Sequence, residues 1–239
     1  MKLDDIKKLH QKKYREQFGC FLAEGEHLVQ ELERAATTNP SLKSARLYVT
    51  ESHLDYPTAL EKTVISQKNM AQISDTQTPP GILAVVPISA LAASENCPIA
   101  VYLYEVQDPG NLGTILRTLA WFGGFRCLLS PNSVDPFNPK VVRSSMGAIF
   151  HVPIEQEVAA DTLSPRFKHL ACLDMHGEAL THPTFKQADC YLFGNEARGL
   201  PAELITQLNA QRFSIGGSGA IESLNLASVV NMAVYERGR

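Results

Sequence analysis

The chain has little of several things, and each shortage excludes a class of protein. Only five cysteines occur in 239 residues (Cys20, Cys97, Cys127, Cys172 and Cys190), and no two form a C-x-x-C pair. That number and spacing exclude a zinc ribbon and a disulfide-dense scaffold, and predict reduced thiols in a cytoplasmic setting. No apolar run approaches the roughly 20 residues that span a bilayer. The opening MKLDDIKKLHQKKYREQ lacks the apolar core of a signal peptide. G-x-G-x-x-G, a P-loop G-K-[ST] and the G-x-S-x-G elbow are all missing, which removes the nucleotide cradles and the serine-hydrolase turn those motifs build. Base is also scarce overall, since the net charge is −3. What remains, 44% apolar and 20% charged, is a globular composition. The length suffices for a buried core in one large domain or two modest ones.

The charge is unevenly placed. Residues 1–17 hold Lys2, Lys7, Lys8, Lys12, Lys13 and Arg15 against Asp4, Asp5 and Glu16, a balance of +3 that leaves −6 for the rest. A basic arm of this kind can follow a phosphate backbone. A solvated helix face would have the same composition.

Up to about residue 88 the sequence reads as a small α/β unit. Leu22, Val29 and Leu32 alternate with Glu24, Glu26, Glu31 and Glu33, which predicts an amphipathic helix over 21–34. Strand-like runs follow at 46–50 and 82–86, the second entered through the turn signal TPPG. Small and polar residues at 88–98 suggest a linker, giving domains at 1–90 and 91–239. Beyond it, apolar runs recur at 99–104, 127–130, 150–154, 170–174, 190–193 and 212–215. Helix-length segments separate most of them, near 112–122, after Asn138-Pro139, after Pro201 and over 223–237. This alternation predicts a parallel, doubly wound sheet, whose ligands collect at the carboxyl ends of its strands.

Three junctions at expected carboxyl ends carry unusual residues. The first is Asp108-Pro-Gly-Asn111-Leu-Gly-Thr-Ile-Leu-Arg117, whose glycines allow close backbone approach and whose helix N-terminus favours anionic groups. The second is Phe193-Gly194-Asn195-Glu196-Ala-Arg198-Gly199-Leu-Pro201. The third runs from Ile215 through Gly216, Gly217 and Gly219 to Ser223-Leu224-Asn225, at the positive end of an apolar helix. Singly, each is compatible with a tight turn or a plain capped loop.

Together, N-x-G-x-x-x-R at 111–117, G-N-E-x-x-G at 194–199 and S-L-N at 223–225 resemble the three ordered motifs of the SpoU-type, TrmH-like RNA 2′-O-ribose methyltransferases of the SPOUT superfamily. The stretch KVVRSSMGAIFHVP at 140–153 looks like the segment joining the first two motifs in ribosomal-RNA members. QKKYREQFGCFLAEGEHLVQEL resembles their N-terminal domain, which is akin to small ribosomal RNA-binding proteins. The resemblance implies an α/β chain. A small ribosomal-protein-like RNA-binding domain would precede a parallel-sheet SPOUT domain threaded as a trefoil knot. It further implies S-adenosylmethionine as cofactor, RNA (ribosomal more than transfer) as partner, and a homodimer through the C-terminal domain. Phe193, Gly194, Asn195, Ile215, Gly219 and Leu224 would hold the cofactor. Arg117, Asn111, Ser223, Asn225 and Glu196 would serve catalysis, and Lys7, Lys8, Lys12, Lys13, Arg15 and Arg143 would face RNA. Gly216 and Gly217 depart from the family, which has a proline and a bulky apolar residue there, so a looser adenine pocket is expected.

Ribose methylation moves a methyl from a sulfonium to a 2′-hydroxyl, so in-line positioning dominates. The family gives the base role to the arginine, here Arg117. A guanidinium stays protonated, and a cation that holds the neighbouring phosphate and steadies the developing alkoxide fits its chemistry better. His176 and His182, six residues apart, match no metal motif, and no metal is expected. The rival readings are a knotted RNA-binding protein without turnover and a serine hydrolase built on Ser223. Gly216-Gly217 favours the first; the second lacks a histidine and an acid in the motifs.

Overall fold

The computed structural model describes residues 1–91 and 97–239, so the expected linker at 88–98 lies partly outside the described residues. The chain divides into two compact units, Met1–Ala92 with Asp135–His151, and Ala93–Val134 with Val152–Arg239. The second unit is therefore interrupted, where the sequence suggests an unbroken domain from residue 91. Among the described residues, no helix is long and apolar enough to cross a membrane.

The first unit runs α1 (Leu3–Lys8), α2 (Lys12–Phe18), β1 (Cys20–Glu24), α3 (Glu26–Thr38), β2 (Arg46–Val49), β3 (Glu61–Val64), α4 (Gln67–Ile73) and β4 (Ile82–Pro87). Its sheet has the order β1-β4-β2-β3. β4 is antiparallel to β1 and β2, while β3 joins β2 in parallel. The helix expected over 21–34 is thus two elements. Phe21, Leu22 and Ala23 pair with β4 and are buried. Gly25, at φ 102°, turns the chain before α3 begins. Pairing with a strand 60 residues away overrode the local helical period, and only the half beyond Gly25 obeys it. β3 was not anticipated, because Glu-Lys-Thr-Val at a sheet edge is mostly exposed and has no apolar face to read.

The basic arm is folded onto this unit. Ile6 and Leu9 are fully buried with Leu22, Tyr48, Met70, Ile73, Leu83 and Val85. Lys7, Lys12 and Lys13 stay exposed and Lys8 partly so. Arg15 does not belong with them. It is 3% exposed, its Nε and Nη2 donate to Asp135 at 2.9 and 2.5 Å, and its Nη1 donates to the Leu9 carbonyl at 2.7 Å. A buried guanidinium with these acceptors cannot face RNA, which corrects its assignment to the RNA-binding set.

The second unit runs β5 (Ile99–Leu103), α5 (Pro109–Phe122), β6 (Phe125–Leu129), then, beyond α6 (Pro139–Ser145) of the inserted stretch, β7 (Ile154–Glu155), α7 (Leu163–Arg166), β8 (Leu170–Ala179), β9 (Cys190–Phe193), α8 (Ala202–Gln207), β10 (Gln211–Ser214) and α9 (Leu226–Gly238). Six strands form one sheet in the order β10-β8-β9-β5-β6-β7, every pair parallel. Ala100, Tyr102, Leu128, Cys172, Cys190 and Leu192 pack with Leu163, Phe167, Ile205 and Leu208. The alternate residues Val101, Leu103, Cys127, Leu129 and Tyr191 are buried as well. Strands covered on both faces carry continuous apolar runs, which is why this half read so plainly in the sequence. The run at 150–154 is the exception. It forms a short 3-10 turn at Ala148–Phe150 and yields only two strand residues, Ile154 and Glu155. β8 also continues to Ala179, beyond the expected run at 170–174, so His176 sits on an exposed strand end.

Residues 135–151 pack with the first unit through apolar rings. Phe137 and Phe150 lie 5.1 and 6.3 Å from Phe21 between ring centroids. Asn138 caps α6 through the Lys140 amide, as its Asn-Pro signature predicts. Arg143, placed in the RNA-binding set, pairs with Asp75 at 2.8 Å and remains about a third exposed.

Candidate active site

The order of strands places β5 beside β9, where the winding of the sheet reverses. Such a point leaves a crevice at the carboxyl ends. The loop after β5 opens α5, the loop after β9 is 194–199, and the loop after β10 is 215–225. These hold the three motifs.

The first loop is built by capping. Asp108 Oδ1 accepts from the Asn111 amide at 2.8 Å, and Pro109 occupies the first helical position. α5 therefore starts three residues before the expected 112. The second loop is a tight turn. Asn195 and Gly199 exchange backbone hydrogen bonds at 3.2 and 2.9 Å, and the Asn195 side chain accepts from the amides of Ala197 and Arg198. Gly194 is required here, because a Cβ would lie 2.2 Å from the carbonyl carbon of Gly199 and 2.4 Å from the Leu200 nitrogen. The third loop ends at Asn225, whose Oδ1 caps α9 by accepting from Ala227 and Ser228 at 2.9 and 3.3 Å.

Side chains join the three loops into one network. Asn225 Nδ2 donates to Asn111 Oδ1 at 2.9 Å. Asn111 Nδ2 donates to Glu196 Oε1 at 3.2 Å. The same carboxylate accepts from the backbone amides of Gln107 and Asp108 at 3.3 and 3.2 Å. An ionised carboxylate only accepts, and the cap uses up the oxygen of Asn225. The direction of every bond in the chain is therefore fixed. Glu196 thus ties the second motif to the first, while its carboxylate stays exposed.

The other expected residues fall in different settings. Arg117 is exposed on α5, six residues beyond Asn111, and makes no ion pair among the described residues. Ser223 and Leu224 are exposed in the third loop, Leu224 at 43% beside Ile221 at 71%. Ile215 is half-buried and Gly219 takes φ 79°. Phe193 is 1% exposed and its carbonyl accepts from the Tyr104 amide, so it supports the turn from beneath. His182 turns inward on Thr184, with 2.8 Å between Nδ1 and Oγ1.

Two residues at the site escaped sequence reasoning. Gln107 donates from Nε2 to the Asn132 carbonyl at 2.6 Å, tying the first loop to the one after β6. Glu105 has φ 49° and lies between the first and second loops. Neither type announces itself: glutamate is not a residue that signals left-handed backbone.

The third loop suits an adenosyl cofactor. A Cβ added at Gly216, Gly217 or Gly219 would meet nothing within 4 Å. The loop also offers exposed apolar side chains at Ile221 and Leu224. Open backbone beside apolar surface is what a nucleoside held by main-chain groups needs.

Comparison with known proteins agrees with this geometry. Residues 98–235 match the SpoU rRNA Methylase family, and residues 2–84 match the MRM3-like substrate binding domain. The chain is 31% identical to the 23S rRNA (guanosine(2553)-2′-O)-methyltransferase RlmP of Bacillus subtilis, over 98% of this chain and 94% of that one. Its fold is similar to a TrmH-family protein from Porphyromonas gingivalis (TM-score 0.83, 29% identity, 98% and 96% covered). It also resembles the AdoMet-bound rRNA methyltransferase from Sinorhizobium meliloti (TM-score 0.80, 25% identity, 98% and 93% covered). Three motif loops meeting at the switch point of a parallel sheet, together with matches across both units, place this chain in the SpoU rRNA methylase family.

Proposed function

We propose that the protein transfers a methyl group from S-adenosylmethionine to a ribose 2′-hydroxyl of ribosomal RNA. The observation that carries this reading is the Asn225–Asn111–Glu196 chain of hydrogen bonds, which gathers all three motif loops at one place. The relatives support the substrate class, since RlmP acts on 23S rRNA. The cofactor, when bound, supplies an activated methyl on a sulfonium centre.

The residues then have separable tasks. Gly194, Asn195 and the loop from Ile215 to Leu224 hold the cofactor through backbone and apolar contacts. Arg117 holds the phosphate beside the acceptor ribose and steadies the alkoxide as it forms. Asn111, Ser223 and Asn225 orient the ribose, and Glu196 keeps the first and second loops together. The exposed Lys7, Lys12 and Lys13 and the partly exposed Lys8, with Arg143, contribute affinity for RNA phosphates.

The active form in this reading is a homodimer through the C-terminal unit, with the trefoil knot that accompanies the family resemblance. α5 and α9 pack on each other, with Phe122 and Tyr235 6.2 Å apart. Their outer surface leaves Trp121 84%, Tyr235 54%, Met232 43% and Phe122 38% exposed. A clustered aromatic surface of this kind suits a protein partner. Incubating the full chain with isotopically labelled S-adenosylmethionine and either unmodified ribosomal RNA or transfer RNA tests the reading. Label should enter ribosomal RNA; label confined to transfer RNA, or none at all, would overturn it.

A further inference from the structure

We propose that Glu105 is a positioning residue for the cofactor-holding turn at 194–199, acting through its carbonyl on Asn195 and its carboxylate on Arg198. The inference rests on the reading of that turn as part of the cofactor site. Glu105 follows β5 and stands in the left-handed region at φ 49°, which few non-glycine residues adopt without support from their surroundings. Here the support is explicit. Its amide donates to Ser130 Oγ at 2.7 Å, and its carbonyl accepts from Asn195 Nδ2 at 2.8 Å and from Gln107 Nε2 at 3.2 Å. Its carboxylate accepts from Arg198 Nη2 at 2.7 Å.

The geometry gives these bonds a common purpose. Asn195 spends its oxygen inside the turn, on the amides of Ala197 and Arg198. Among the described residues, its remaining donor is fixed by Glu105. Arg198 is otherwise solvent-facing, with its side chain 72% exposed, whereas that of Glu105 is 20% exposed. The less exposed partner is the anchor and the more exposed one the tethered end. The left-handed backbone lets one residue present carbonyl and carboxylate to the same turn. Glu196 ties the turn to α5 from its other side, through the Asn111 side chain. The motif residues Asn195 and Glu196 thus each tie the turn to the first loop, and Glu105, which holds Asn195, lies outside the motif pattern.

Three variants of the full chain test this: Glu105→Asn, Arg198→Ala and the two combined. Asparagine keeps the left-handed preference and removes the reach to Arg198. An exposed arginine limits the strength of the pair, so each single variant should weaken S-adenosylmethionine binding by about three- to fivefold in calorimetry. The double variant should be no weaker than either single one, because both remove one interaction. Turnover at saturating cofactor should stay within about twofold. Unchanged affinity in the single variants, multiplied losses in the double, or lost turnover with normal affinity would each overturn the proposal. Hydrogen exchange in the cofactor-free protein reads the same turn independently. Amides of Ala197, Arg198 and Gly199 should exchange faster in both single variants, and unchanged exchange would also overturn it. If the unaltered protein fails to bind S-adenosylmethionine while the variants loosen the turn, the functional reading fails and the positioning role of Glu105 stands.

Discussion

Two arginines assigned to RNA or its ribose have opposite fates, and burial separates them. Arg117 lies exposed on α5, free of ion pairs among the described residues. Its effect should be confined to the acceptor. Arg117→Ala should lower turnover about 100- to 1,000-fold, the usual loss of a donor that stabilises developing charge, and leave cofactor affinity nearly unchanged. Steady-state kinetics with cofactor calorimetry checks both halves. Arg15 is enclosed with Asp135, their side chains 4% and 9% exposed. Removing one member strands a buried charge, which costs about 3–5 kcal/mol. Arg15→Ala should therefore lower the denaturation midpoint severely, while RNA affinity of the folded fraction at low salt changes little. A stable Arg15→Ala protein with weakened RNA binding would return Arg15 to the RNA-binding set.

At the scale of elements, what could be read in advance depended on whether local pattern and tertiary pairing agreed. The parallel strands of the second unit are buried on both faces, so their apolar runs stand out without help from neighbours. Of the capping residues, Asn138 was legible, opening α6 as expected. Asp108 and Asn225 were not, since their helices were expected near 112 and from 223 and begin at Pro109 and Leu226. β1 was not legible, because its pairing partner β4 lies far along the chain. The motif residues Asn111, Glu196 and Asn225 were found by pattern, but their mutual bonds were not, since spacing says nothing of which loops meet. Glu105 could not be found at all, as its role lies in a φ angle. The first two helices make a prediction of their own. Ile6 and Leu9 dock them, and Lys7, Lys12 and Lys13 remain on the surface. Neutralising these lysines should weaken RNA binding at low salt without unfolding the unit. Each lost phosphate contact should also flatten the log affinity against log salt slope by about 0.7–0.9. An unchanged slope would leave the helices as a structural cap only.

For the whole molecule, the division of the chain matters more than the motif positions suggest. All three motif loops lie in the second unit, yet residues 135–151 from the middle of the methylase segment belong to the first. Phe137, Val141, Val142, Ile149 and Phe150 of that stretch are at most 5% exposed. A fragment beginning near residue 90 would uncover them, since Phe21 and its neighbours would be gone. Such a fragment should bind hydrophobic dyes and aggregate at micromolar concentration, where the full chain stays dispersed. A monodisperse fragment that binds S-adenosylmethionine normally would show that the stretch repacks on its own.

The central claim is that the methyl group arrives on a ribose oxygen. Alkaline cleavage of RNA requires a free 2′-hydroxyl on the sugar preceding each phosphodiester. Ribosomal RNA treated with the full chain and S-adenosylmethionine should therefore show one new alkali-resistant position. Mass spectrometry of the dinucleotide released there should place the added methyl on the sugar fragment and leave the base mass unaltered. A methyl found on the base, with alkaline cleavage unchanged at every position, would contradict the account.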